Sequence, residues 1–181
     1  MIVQKLGDYT DYWNHLLKAD RDAFLAKPDD LRLALHYASA LFHMHDWVYW
    51  GNESYIKTHF TFADKHGEVS PVKNSIMVAN ALRDCNIDFE LVRGIANAGK
   101  HLHLKSATKK HHTNAPNNAT NTVVQSSGWG IGGYGVGPYG GSPRVMLVGP
   151  NGQDLEFSDL GESTYQMWIK LSKQHGWELY T

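Results

Sequence analysis

The chain of 181 residues is 42% hydrophobic and 12% aromatic, with six Trp and nine Tyr, which excludes a chain disordered throughout and suits a domain with a real core. Its 17 Lys and Arg stand against 18 Asp and Glu, a net charge of −1, so only local clusters could argue for a polyanion partner. A single cysteine, Cys85, excludes an internal disulfide and a multi-cysteine zinc site. With no apolar run near about 18 residues and no signal-peptide pattern at the start, the expectation is a soluble, cytoplasmic protein without a membrane partner.

Residues 7–27 repeat Tyr9, Trp13, Leu16, Leu17 and Phe24 at helical spacing, with Asp8 or Thr10 as cap and Pro28 as terminator. A second helix is predicted from Asp29 or Asp30, as N-cap, to Tyr49 or Trp50, with Gly51-Asn52 as the stop. Its wide apolar arc runs through Leu31, Ala34, Leu35, Tyr37, Ala38, Leu41, Phe42, Val48 and Tyr49, and His45 falls near the middle of it. His36, His43 and Asp46 fall on the polar side. Residues 54–64 fit helix or strand, and their helical neighbours favour helix. Ser70 as N-cap and Pro71 at the first helical position then open a helix carrying Val72, Ile76, Ala79, Leu82 and Cys85 inward. Asn86 suits its C-cap, and Asp88 the cap of the next helix.

That next helix, in residues 87–104, places Ile87, Leu91, Ile95, Ala98 and Leu102 on one apolar arc. Arg93, Asn97 and His101 follow each other at i, i+4, i+8 along the opposite edge, with Lys100 and Glu90 nearby. The polar residues 106–121 read as a loop and include Lys109-Lys110-His111-His112. Beyond it, 122–125, the segment around Val145 and Leu147, and the segment carrying Leu155 and Phe157 read as strands, with Pro150-Asn151-Gly152 as a hairpin turn. Residues 128–141 hold eight glycines interleaved with Trp129, Tyr134 and Tyr139, and match neither a P-loop nor a dinucleotide fingerprint. Residues 162–175 form a last helix stopped by Gly176, after which Trp177, Leu179 and Tyr180 dock on the body.

The fold class is therefore mainly α: an antiparallel helical bundle with a small C-terminal β-hairpin or sheet appendage and a final helix. Residues 1–105 make the bundle, and 106–181 the loops, hairpin and last helix packed on it, as one domain overall.

A guanidinium, an amide and an imidazole on one helix edge can bind a phosphate and move a proton. A solvated helix face would display the same residue types. His43 and Asp46, at i, i+3, could share a metal with His101 and His103 from a neighbouring helix, whereas His36 and His43 are two turns apart. A third alternative is a non-catalytic binding or regulatory module that uses the glycine–aromatic segment as a flap. No cofactor is indicated.

A bundle whose late helix carries Arg93, the polar Asn97 and then His101 resembles the HEPN family of bacterial conflict systems. Asn97-Ala-Gly-Lys100-His101, after His45-Asp46-Trp47, is similar to an Asn-x-x-Lys-His element of uncharacterised bacterial and phage proteins. The spacing departs from the family's pattern, with seven residues between Arg93 and His101 and Gly94 where a polar residue is usual. The resemblance covers at most the first 105 residues. It implies a metal-independent ribonuclease in which His101 serves as general base or acid, Arg93 holds the scissile phosphate and Asn97 orients either. It further implies RNA as partner, with Lys100, Lys105, Lys109 and Lys110 along its backbone, and a homodimer with a composite site. His45 and Asp46 stand as supporting residues.

Overall fold

Asp8 opens the first helix by accepting the N–H groups of Thr10 and Asp11 at 2.8 and 2.9 Å. In the computed structural model, which describes residues 6–63, 66–98, 122–125, 143–148, 153–177 and 179, α1 (Tyr9–Tyr12) passes through a π-helical turn (Trp13–Leu17) into α2 (Lys18–Ala26). The wider turn lets two successive aromatics serve different partners: Tyr12 stacks on Trp47 at 5.0 Å, and Trp13 on Tyr165 at 4.7 Å. Leu16, expected inside, is left exposed.

Asp30 caps α3 (Leu31–Gly51) through the N–H of Leu33. This is the central helix, and α1, α2, α5, α6 and α7 all pack on it. Its three alanines, Ala34, Ala38 and Ala40, lie among Tyr37, Leu41, Phe42, Met44, Val48 and Tyr49, all buried. Small side chains admit close neighbours while the large ones fill the gaps between them.

Residues 54–63 prove to be helix and strand in turn. α4 (Glu53–His59) stops at Phe60, and β1 (Thr61–Ala63) pairs antiparallel with β2 (Val69–Pro71). Ser70 and Pro71 thus end a strand instead of opening a helix. The cap of α5 (Ser75–Cys85) is Asn74, whose side chain accepts the Met77 N–H at 2.9 Å. Asn86 closes α5 with its backbone and opens α6 (Ile87–Ala98) with its side chain, accepting from Asp88 and Phe89. Asp88 is therefore inside the helix it was expected to cap. Ile76 and Ile87 were expected in the core and are 62% and 53% exposed, and Cys85 is exposed as well.

At the C-terminal end β3 (Thr122–Gln125), β4 (Arg144–Val148) and β5 (Asp154–Glu156) form an antiparallel sheet in that order. Val145 and Leu147 alternate inward from β4 and join the same hydrophobic cluster as the helices. Val145 also donates its N–H to the Pro28 carbonyl, which ties the sheet to the loop after α2. Phe157 begins α7 (Phe157–His175), five residues earlier than expected, and does not extend the strand. Trp168 donates to the Leu41 carbonyl at 3.0 Å and Tyr37 to the Gly161 carbonyl at 3.2 Å, so α7 is bolted to α3 at two levels. Gly176 ends α7 at φ +67°, where any Cβ would be strained, and Trp177 and Leu179 dock into the core as expected. No helix among the described residues is long and apolar enough to cross a membrane.

Candidate site at the α3–α6 seam

Among the described residues α3 and α6 make the most extensive helix pairing, and Arg93 and His45, both singled out by sequence, meet along it. Phe42 is the hinge of the arrangement. Its ring lies 5.8 Å from the Arg93 guanidinium carbon and 4.6 Å from the His45 ring. A cation over an aromatic face is attracted by the ring quadrupole. Two residues from different helices, Arg93 and His45, are therefore brought to one aromatic side chain.

The surroundings of Arg93 differ from those of a solvated edge. Its side chain is only 13% exposed, donates from Nη1 to Asn80 Oδ1 at 2.9 Å, and lies 3.9 Å from Glu90 Oε2. Glu90, expected on the polar side, is buried. Both results have one cause: α6 packs against α3, α5 and α7 together, and so little of its circumference faces water. Burial lowers the guanidinium's pKa, Glu90 opposes that shift and Arg83 adds to it. The group stays cationic regardless. Asn97, one turn on, is half-buried.

His45 is buried, as its place in the apolar arc predicts. Its Nδ1–H donates to the Phe42 carbonyl at 2.5 Å, and since a carbonyl can only accept, this bond assigns the proton to Nδ1. Nε2 of the neutral ring then carries the lone pair, 3.5 Å from Asp46 Oδ1. Burial pulls the His45 pKa down, the Phe42 carbonyl and Asp46 oppose this, and His43 and Arg93 reinforce it. The neutral imidazole is thus the resting form near pH 7. Asp46 offers its other oxygen, Oδ2, to His43 Nδ1 at 3.5 Å. His43, together with a bond to Ser75 at the start of α5, holds the Asp46 carboxyl down at about 2 despite partial burial.

His43, His45 and Asp46 look like a metal site in sequence. The two imidazole centroids, however, lie 6.4 Å apart and the rings address different oxygens of one carboxylate. Among the described residues no group of three His, Cys, Asp or Glu could hold a metal ion. Of the alternative metal set, His43 and Asp46 are described, while His101 and His103 lie outside the described residues, as do Lys100, Lys105, Lys109, Lys110 and the glycine–aromatic segment 128–141.

Asn80 and Ser75 escaped the sequence argument. The available signal was an amide in the middle of a short helix, a position it disfavours intrinsically. Nothing in the sequence says that its partner is an arginine thirteen residues on. Comparison with protein-family models, curated proteins and solved structures finds no match to this chain.

Proposed function

We propose that the protein acts on RNA, as a metal-independent, HEPN-like ribonuclease whose site is centred on the α3–α6 seam. The observation that carries this is the meeting of Arg93 and neutral His45 on the Phe42 ring, with Asn97 one turn beyond Arg93 and Gly99-Lys100-His101 continuing the sequence after Ala98. Phosphodiester cleavage without a metal needs a base, an acid and a cation. The base takes the proton of the ribose 2′-OH, O2′ bonds to phosphorus, and the P–O5′ bond breaks as the acid returns a proton to O5′. In this proposal His101 is the base or acid, Arg93 neutralises the charge on the phosphoryl oxygens and Asn97 orients one of them. His45 and Asp46 support the site as a second imidazole and its carboxylate. Lys100, Lys105, Lys109 and Lys110 follow the RNA backbone, so affinity falls steeply with salt. The working form is a homodimer in the cytoplasm, each copy completing the other's site.

The test is cleavage of a tRNA and single-strand panel by wild type, Arg93→Lys and His101→Ala, each with and without EDTA. Lysine is the first choice at Arg93 because it preserves the charge beside Glu90. Cleavage that survives EDTA and falls by roughly 10²- to 10⁴-fold in His101→Ala supports the proposal. Loss with EDTA transfers the site to His43, Asp46, His101 and His103 around a metal.

A second function, a non-catalytic binding module, is favoured by one specific observation: the Arg93 guanidinium is held by Asn80 and largely covered, as in a structural arginine. Folded protein that cleaves nothing, with His101→Ala unchanged in partner binding, selects it.

A further inference from the structure

His175, in the last turn of α7, stands among three aromatic rings. Its own ring lies 4.7 Å from Phe60, stacks on Trp177 at 5.2 Å and meets Tyr55 edge to face at 5.9 Å. Its Nδ1 shares a hydrogen bond of 3.2 Å with the Tyr55 hydroxyl. Tyr55 in turn stacks on His59 at 4.2 Å, and the His59 ring is fixed by its Nδ1–H, which donates to the Tyr55 carbonyl at 2.9 Å. Phe60 completes the cluster by stacking on Trp177 at 5.9 Å.

The two sides of this cluster are held unequally. Trp177 is buried with Leu179, its N–H donates to the Ser172 carbonyl, and its own carbonyl accepts from the Ser172 hydroxyl at 2.6 Å. α4 has only seven residues, too few for a helix stable by itself, and Ile56 is the residue it buries. Its Tyr55, and Phe60 just after it, lean on His175. Phe60 also walls an apolar hollow of about 290 Å³, together with Phe62, Val78, Leu82 and Leu171.

On α4 the charge that bears on His175 is that of His59, while Lys57 is paired with Glu53. On α7, Lys173 lies two residues back and so across the helix. β1 carries no ionisable side chain, and Asp84 of α5, at the rim of the hollow, is paired with Arg83. Aromatic faces attract a cation. Burial and the like charge of His59 outweigh that attraction and hold the His175 pKa below its ordinary value.

We propose that this cluster is an acid-released latch: protons on His175 and His59 place like charges at the junction, loosen Tyr55 and Phe60 from the end of α7, and open the hollow to solvent. The neutral His175 ring contributes fully above about pH 6.5, and that contribution is lost as pH falls through the lower folded value. The latch is independent of any action on RNA.

The experiment follows the histidine Cε1–H resonances by NMR from pH 7.5 to 5, in buffer and in urea. Fluorescence of the apolar dye ANS and far-ultraviolet circular dichroism are recorded over the same range. Wild type, His59→Gln, His175→Gln and His175→Lys are compared; His59 is exposed and His175 partly so, and all variants should fold. The expected result is a native His175 that titrates below its value in urea. Dye fluorescence of wild type should rise by roughly 2-fold or more toward pH 5 with the circular dichroism unchanged. That rise should shrink in His59→Gln and vanish in His175→Gln, and His175→Lys should bind dye already at pH 7.5. A native His175 that titrates above its value in urea would overturn the latch, because acid would then tighten the cluster. An equal dye response in wild type and His175→Gln would overturn it too, as would a rise that comes only with loss of the helical signal.

Discussion

Replacing Asn80 by Ala removes the amide that accepts from Arg93, and its cost follows from the geometry. The bond is 2.9 Å long, its donor is charged, and the arginine side chain is 13% exposed, so water replaces little of what is lost. A hydrogen bond to a charged group in such a place contributes roughly 1.5–3 kcal/mol. For a chain of this length about 2 kcal/mol corresponds to a Tm lower by about 4–8 °C. A double-mutant cycle isolates the pair: Asn80→Ala, Arg93→Met and the double variant, each unfolded in urea and followed by far-ultraviolet circular dichroism. Methionine keeps most of the aliphatic stem over Phe42 and discards the charge. The two substitutions should be non-additive by about 1–2 kcal/mol. Additivity within about 0.5 kcal/mol would refute the reasoning, because Arg93 would then not be held in place by Asn80.

Acid should weaken the fold through His45. Its folded-state pKa lies below the unfolded value, so the neutral ring's contribution is complete above about pH 6.5 and is lost as pH falls through the lower folded value. Urea midpoints between pH 7.5 and 4.5 should decline for wild type and decline less for His45→Gln; the difference between the two removes the like-signed contribution of His175, whose pKa is also lowered by burial. Asp46 adds a separate loss at lower pH, between its unfolded value near 3.8 and its folded value of about 2, which Asp46→Asn should abolish. Gly161→Ala places a Cβ 2.8 Å from Cε1 of Tyr37, a ring packed against Phe24 and Phe157, and should cost about 1–3 kcal/mol by differential scanning calorimetry. Gly176→Ala forces an L side chain into φ +67°, and a loss of about 1–2 kcal/mol is expected in urea unfolding.

Local chemistry was legible without any fold. Asp8, Asp30 and Gly176 act within a turn of their own position, so residue type and neighbours narrowed the N-caps to Asp8 or Thr10 and Asp29 or Asp30 and picked out Gly176 as the stop. His45 falls inside on the helical wheel because α3 is long enough for its apolar arc to be unambiguous, and the β-branched and aliphatic run around Val145 and Leu147 reads as a strand. What the wheel could not decide was coverage. Periodicity ranks the faces of one helix against each other, but how many are covered depends on which helices arrive. Three neighbours enclose α6, so Glu90 and most of Arg93 are buried, while the first residues of α5 and α6 leave Ile76 and Ile87 outside. The partnership of Arg93 with Asn80, and its meeting with His45 on the Phe42 ring, joins residues from three helices. Sequence by itself settled which groups were available, and only the tertiary packing decided which of them touch, because a hydrogen bond is made by distance in space and leaves no periodic trace along the chain.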